Sequence, residues 1–205
     1  MNMKSKCDEG HFYAYHSILH MAECLFEDSE YLEYNIDGCK RGGWSNYYMP
    51  LLLVYIAAIE SFSNSIGFVL IEDFESKYEK KPIKDKLKLI FEKIEGECNF
   101  SKEPFRTLNT AIIIRNEWVH CKASYSRYVT EWESSSFEDV HNVRSNLEYK
   151  TNKEFIVKLK NSVNKIIELA SSKACKMFPE NEDLLECLCN VLPVVSTKLG
   201  QSYIK

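Results

Sequence analysis

Arg115-Asn116-Glu117-Trp118-Val119-His120 is the segment of this chain best equipped for chemistry. It lies towards the end of a strongly apolar helical stretch, Phe105 to Lys122, where an arginine, an asparagine and a histidine serve no packing purpose. Arginine presents a fixed fork of donors suited to a phosphate, and histidine exchanges a proton near neutral pH. Together they are the minimum equipment for cleaving RNA without a metal. At about 100° per residue, Phe105, Leu108, Ile112 and Val119 share one narrow stripe, with Asn116 near its middle. Arg115 and His120 flank that stripe, roughly 140° apart by the same count. One helix aims both at a single atom only if its last turn distorts. Two copies packed stripe to stripe about a two-fold axis would let the pairs converge, so the spacing predicts a composite site in a homodimer.

Arg-Asn-x-x-x-His at the end of a long helix resembles the Arg-x4–6-His signature of the HEPN superfamily. The matched motif covers Arg115 to His120, and its surroundings extend the resemblance over roughly Trp44 to Met177. There a long apolar helix precedes a short amphipathic one, then comes the motif helix, then another amphipathic helix. The resemblance implies an all-α, up-and-down helical bundle, dimeric through the motif helix. It also implies a metal-independent endoribonuclease of toxin–antitoxin, phage-defence or RNA-processing type, with no cofactor. In that mechanism His120 acts as general base on the ribose 2′-hydroxyl or general acid to the leaving 5′-oxygen. Arg115 holds the scissile phosphate, and Asn116 orients one of them or donates to a phosphate oxygen. The products carry a 2′,3′-cyclic phosphate and a 5′-hydroxyl. The partners implied are RNA, a second copy, and a cognate antitoxin or other defence-system partner. The different-class alternative is a non-catalytic HEPN module that binds RNA, a nucleotide or a partner protein, with Arg115 and His120 making only intra-bundle hydrogen bonds. A plain structural dimer is a third.

The remaining elements follow from periodicity and punctuation. One domain over 1–205 is expected, its core about 44–177. The N-terminal helix covers 11–34, with Phe12, Tyr15, Leu19, Ala22 and Phe26 at helical spacing, and a short C-terminal helix covers 180–198. Ser45 or Asn46 can cap the next helix, Pro50 suits its first turn, and it runs to about Lys77, softened at Gly67. Pro82 opens a helix whose stripe is Ile83, Leu87, Ile90, Phe91 and Ile94, and Gly96 closes it. Ser101 caps the motif helix, which extends from Lys102 to about Ser124. Thr151 or Asn152 starts a helix through Met177 with Phe155, Leu159, Val163, Ile166, Ile167 and Ala170 inward. The stretch 125–150 has no clean helical period.

Glu60 lies on the long helix in a sector with Ser63, Asn64 and Gly67. A carboxylate there needs a partner. That partner is a lysine or Arg106 in a structural pair, or else Arg115 or His120, which Glu60 and Asn64 would then support. The second reading is preferred. Lys150 to Lys176 carries seven lysines against two glutamates, and Lys102 to Arg127 five basic residues against two. The ordinary meaning of such runs is a solvated face; the functional one is a basic lip beside the motif, in which Arg106, Lys122 and Arg127 contact RNA. The net charge of −4 argues against a broadly basic nucleic-acid-coating protein.

His16-x-x-x-His20 with Glu23 has zinc-compatible spacing but lacks a clear third ligand, Cys187-x-Cys189 is no stronger, and no metal is expected. The eight cysteines include no Cys-x-x-Cys pair, and 1–10 lack an apolar leader, so reduced thiols and a cytoplasmic location are expected. Met49 to Ile71 approaches membrane length, but Glu60 and Asn64 near its centre predict a buried bundle helix and no membrane span.

Overall fold

A computed structural model describes residues 14–35, 48–119 and 151–189. Among these residues every regular element is a helix. They are α1 (Tyr15–Asn35), α2 (Met49–Leu70), α3 (Phe74–Lys77), α4 (Ile83–Lys93), α5 (Phe105–Val119), α6 (Lys153–Met177) and α7 (Glu182–Cys189).

α2 is the axle of the bundle. It touches α1, α3, α4, α5, α6 and α7. Leu51, Leu52, Tyr55, Ile59, Phe62 and Ile66 along it are fully buried. By length and apolar content alone it is the one helix among the described residues able to cross a membrane. Pro50 stands in its first turn, where a missing N–H costs nothing. The hydroxyl of fully buried Ser63 donates to Ile59 O at 2.6 Å, which satisfies it within its own helix.

The long helix expected to run to about Lys77 stops instead at Leu70. Asp73 takes a left-handed conformation (φ 57°) and the chain restarts as the short α3. Gly67 explains the fit of this corner. A Cβ there would lie 2.2 Å from Cε2 of Phe74, a buried ring on α3. Its role is close approach rather than softening. Gly67→Ala is expected to lower stability by about 1–3 kcal/mol, read as a lower thermal midpoint, with Phe74→Leu in the same chain recovering part of the loss. An unchanged midpoint for the single variant would show that α3 yields freely.

α4 buries the expected stripe of Ile83, Leu87, Ile90 and Phe91, with Ile94 just beyond its end. Its closure differs in detail. Glu95, not Gly96, adopts the left-handed conformation (φ 50°), while Gly96 N donates to Phe91 O at 2.6 Å. A Cβ on Gly96 would meet the Phe91 ring at 2.7 Å, so glycine is needed there for space.

α6 begins at a genuine cap, Asn152 Oδ1 accepting from Phe155 N at 2.9 Å. Leu159, Val163, Ile166 and Ala170 are buried, while Phe155 and Ile167 pack partly covered against the core. A polar knot ties α6 to α1 and α2: Lys160 pairs with Glu23, and Tyr55 donates its hydroxyl to Glu23 Oε1 at 3.3 Å. Burial, reinforced by the Glu23 charge, pushes the Tyr55 hydroxyl far above its ordinary pKa. Lys160 also stands 4.3 Å over the Phe26 ring.

α7 is capped by Asn181 Oδ1, which accepts from Leu184 N at 2.9 Å. At its other end, Tyr15 donates to the Cys187 carbonyl at 2.9 Å, and His16 Nε2 meets the same oxygen at 3.0 Å. Last-turn carbonyls have no partner within their own helix, so two side chains of α1 supply what α7 lacks. Burial lowers the His16 pKa against the opposing pull of that carbonyl. Burial likewise pushes the Cys187 thiol up to about 12, with the nearby Glu186 charge adding to it.

Candidate functional site

The motif helix is fixed at its beginning by a single carboxylate. Glu103 Oε2 accepts from Thr107 N at 3.2 Å and from Thr107 Oγ1 at 2.7 Å, which caps α5. The same residue's Oε1 receives Arg106 Nε at 3.0 Å, Arg106 Nη2 at 2.9 Å and Lys158 Nζ at 3.1 Å. Ser101, expected as the cap, instead donates its own N–H to Asn99 Oδ1. Partial burial works to raise the Glu103 pKa, but the hydrogen bonds from Thr107, Lys158 and Arg106 bring it down to about 2. A carboxyl whose folded pKa lies below its ordinary 4.5 contributes stability that is fully present above that value. The contribution is lost as pH falls from about 4.5 towards 2. Glu103→Gln should therefore show a flatter acid limb than the parent in urea unfolding between those pH values. Parallel limbs would contradict this role.

From that anchor the helix packs inward through Phe105, Thr107, Leu108, Ala111 and Ile114. Phe105 sits edge-on between Phe91 (5.1 Å) and Phe100 (5.5 Å). The buried face is thus rotated from the stripe expected for a two-fold contact. Phe105 and Leu108 belong to the chain's own core and are closed to a partner. Ile112 is half-buried, and Asn116 and Val119 are exposed. Ala111 is fully buried on this face, while Ile112 packs only partly covered against the core. After Ile114 no residue of α5 is buried: Arg115 is partly covered and 116–119 are exposed.

Arg115 is partly buried at this exposed end, and among the described residues it makes no hydrogen bond or ion pair. Asn116 beside it is exposed. His120, Lys122 and Arg127 lie outside the described residues. Arg106, expected to contact RNA, has its guanidinium directed at Glu103.

Glu60 does not support Arg115. Its Oε1 lies 3.8 Å from Nζ of Lys86, and the same ammonium donates to Asn64 Oδ1 at 2.6 Å. Lys86 is the residue that periodicity concealed. It stands in the apolar stripe of α4 between Ile83 and Ile90, and its side chain is only 1% exposed. A lysine at a stripe position was the available signal. Glu60 and Asn64 are accordingly the far side of an α2–α4 clamp.

Three lysines of α6 reach other parts of the bundle and a fourth pairs along its own helix. Lys158 pairs with Glu103, Lys160 with Glu23 and Lys165 with Glu168, while Lys173 donates to Glu95 O at 2.9 Å. A groove of about 540 Å³ lies between the start of α5 and α6, lined by Glu103, Pro104, Lys158, Asn161, Ser162, Lys165 and Leu169. Pro104 precedes Arg115 by eleven residues, roughly 16 Å of helix. The groove and the motif are therefore separate places.

Among the described residues no three His, Cys, Asp or Glu side chains gather as metal ligands. His16 faces the Cys187 carbonyl, and His20 Nε2 lies 3.7 Å from Cys24 Sγ. Two features of α5 escaped the sequence reading. Trp118 is 45% exposed, and Asn109 has a buried Oδ1 with no hydrogen-bond partner among the described residues. No protein-family model, curated protein or solved structure matches this chain.

Proposed function

We propose that this chain is a metal-independent endoribonuclease of HEPN type, an up-and-down bundle that acts as a homodimer in a toxin or phage-defence role. The observation that carries the reading is Arg115. A partly buried guanidinium without a carboxylate is costly unless an anion is to meet it. Arg106, Lys158, Lys160 and Lys165 all have carboxylate partners; Arg115 has none among the described residues. The end of α5 is also open to solvent, as a phosphate-binding arginine requires.

In the proposed reaction Arg115 holds the scissile phosphate by a bidentate contact and stabilises the charge that grows on it. His120 takes the proton of the 2′-hydroxyl. The 2′-oxygen then bonds to phosphorus as the bond to the 5′-oxygen breaks. The departing electron pair stays on that oxygen, which takes up a proton from water. Asn116 donates to a phosphate oxygen. Since Phe105 and Leu108 are core, the two-fold contact falls to Ile112, Asn116 and Val119.

The test is incubation of the purified chain with mixed RNA, with and without EDTA. Products bearing 2′,3′-cyclic phosphate and 5′-hydroxyl ends in both arms are expected. Intact RNA under all conditions, or cleavage only with a divalent metal, would overturn the proposal. A second reading, a non-catalytic HEPN module that binds a partner protein, is favoured by the exposure of Ile113 and Val119 on the same helix end, at 47% and 54%.

A further inference from the structure

We propose that Trp118 stacks on a nucleobase next to the phosphate held by Arg115, so that this end of α5 selects unpaired RNA; the inference rests on the ribonuclease reading above. On a helix the neighbours of a side chain stand three and four residues away, about 5–6 Å between Cβ atoms. For Arg115 those neighbours are Ala111, Ile112, Trp118 and Val119. None is a carboxylate. Glu117 is two residues on and faces elsewhere. The guanidinium thus has an apolar surround on its own helix, with one aromatic ring directly beside it.

That ring is placed oddly for a structural residue. Trp118 follows Ile114 by four and Ala111 by seven, so it continues the line of the buried face. Yet Ile114 is 1% exposed and Trp118 is 45% exposed. No aromatic ring among the described residues stacks on the indole. A cation with no counter-charge among the described residues and an exposed indole one turn away match a nucleotide in both of its parts, phosphate and base. Paired bases in an RNA duplex are stacked inside and offer no face to an exposed indole, whereas splayed bases of single strands do. The site therefore takes loops, bulges and single strands.

The test measures binding apart from cleavage. A 5′-fluorescein-labelled single-stranded RNA with 2′-O-methyl groups throughout cannot form the cyclic product, and its anisotropy is followed against the full chain. The same strand annealed to its complement and an abasic strand serve as comparisons. Trp118→Ala and Trp118→Leu are expected to weaken single-strand binding about 5- to 150-fold, the range for loss of one base–aromatic stack. Trp118→Phe should retain most of the affinity, and the abasic strand should bind parent and variants alike. Thermal melts establish that the variants fold, as the exposure of Trp118 leads one to expect. Parent-like binding by Trp118→Leu, an equal loss on the abasic strand, or no binding of single strands by the parent would each overturn the proposal. Parent-like RNA binding by Trp118→Leu together with loss of self-association would reassign the indole to a protein contact. If the chain binds through Trp118 but cuts no RNA, the ribonuclease reading falls and the stacking site stands. If it cuts RNA and Trp118→Leu binds as the parent does, the stacking site alone falls.

Discussion

Replacing Arg115 by alanine is expected to slow RNA cleavage by about 10²- to 10³-fold, the usual effect of removing one preorganised donor from a developing anion. Replacing His120 by alanine is expected to cost about 10²- to 10⁴-fold, since proton transfer by a positioned side chain contributes that much. Both are read as kcat/KM on a fluorogenic RNA in EDTA. Arg115→Lys should recover little, because a point charge cannot reproduce the planar fork. The exposed end of α5 makes these clean experiments: Arg115 anchors nothing among the described residues, so its loss should leave the melting curve where it was. Mixing the two alanine variants adds a geometric test. If each centre takes its arginine from one copy and its histidine from the other, one centre of every mixed dimer is whole and activity partly returns. If both come from one chain, nothing returns. The roughly 140° between the two positions on one helix predicts recovery. Full activity in the His120 variant would end the mechanism.

Lys86→Ala is expected to destabilise the fold by about 2–5 kcal/mol, as large-to-small changes at fully buried sites do. The side chain spans from α4 to α2 and is enclosed throughout its length, so truncation leaves a void and strips Asn64 Oδ1 of its donor. Lys86→Met separates the two contributions. Methionine fills most of the volume, and replacing a buried cation by an apolar side chain of similar size is often nearly neutral. What remains is the unpaired Asn64 oxygen, about 1–3 kcal/mol. The order expected in urea unfolding is therefore parent, then Lys86→Met, then Lys86→Ala. Glu60→Ala should cost little, because its carboxylate is 43% exposed. Equal stability of parent and Lys86→Ala would show that α2 and α4 close over the gap.

Much of the bundle was legible because period and punctuation agree along α2, α4 and α6. The stripe of α4, the Asn152 cap and Pro50 in the first turn of α2 lie where local rules put them. The choice of a buried helix over a membrane span for α2 rested on Glu60 and Asn64 in its middle. Those residues do meet a polar partner inside the fold, in Lys86. Which partner they meet was not legible, since helical phase carries no information about a cation some twenty residues away on another helix. The Glu60–Arg115 link failed for that reason. On α5 the apolar residues occur nearly all round, so the phase of the helix was ambiguous by itself. The buried face includes the small Ala111, which a count of large apolar side chains undervalues. Ser101 lost its capping role to Glu103 because a carboxylate reaching Thr107 also collects Arg106 and Lys158, contacts that depend on where α6 runs.

The shared carbonyl of Cys187 couples the order of synthesis to the order of folding. The Tyr15 hydroxyl and the His16 ring reach an acceptor 171 or more residues downstream, in the last described helix. While the chain is being made, α1 can meet α2 early, with Tyr15 edge-on to Phe62, but the contact with Cys187 waits for α7. Such a long-range closure is entropically late. A chain cut after Met177 would thus keep α1 to α6 yet lack the acceptor that Tyr15 and His16 share. Docking of α7, rather than collapse of the central helix, is what supplies these two side chains of α1 with their common acceptor.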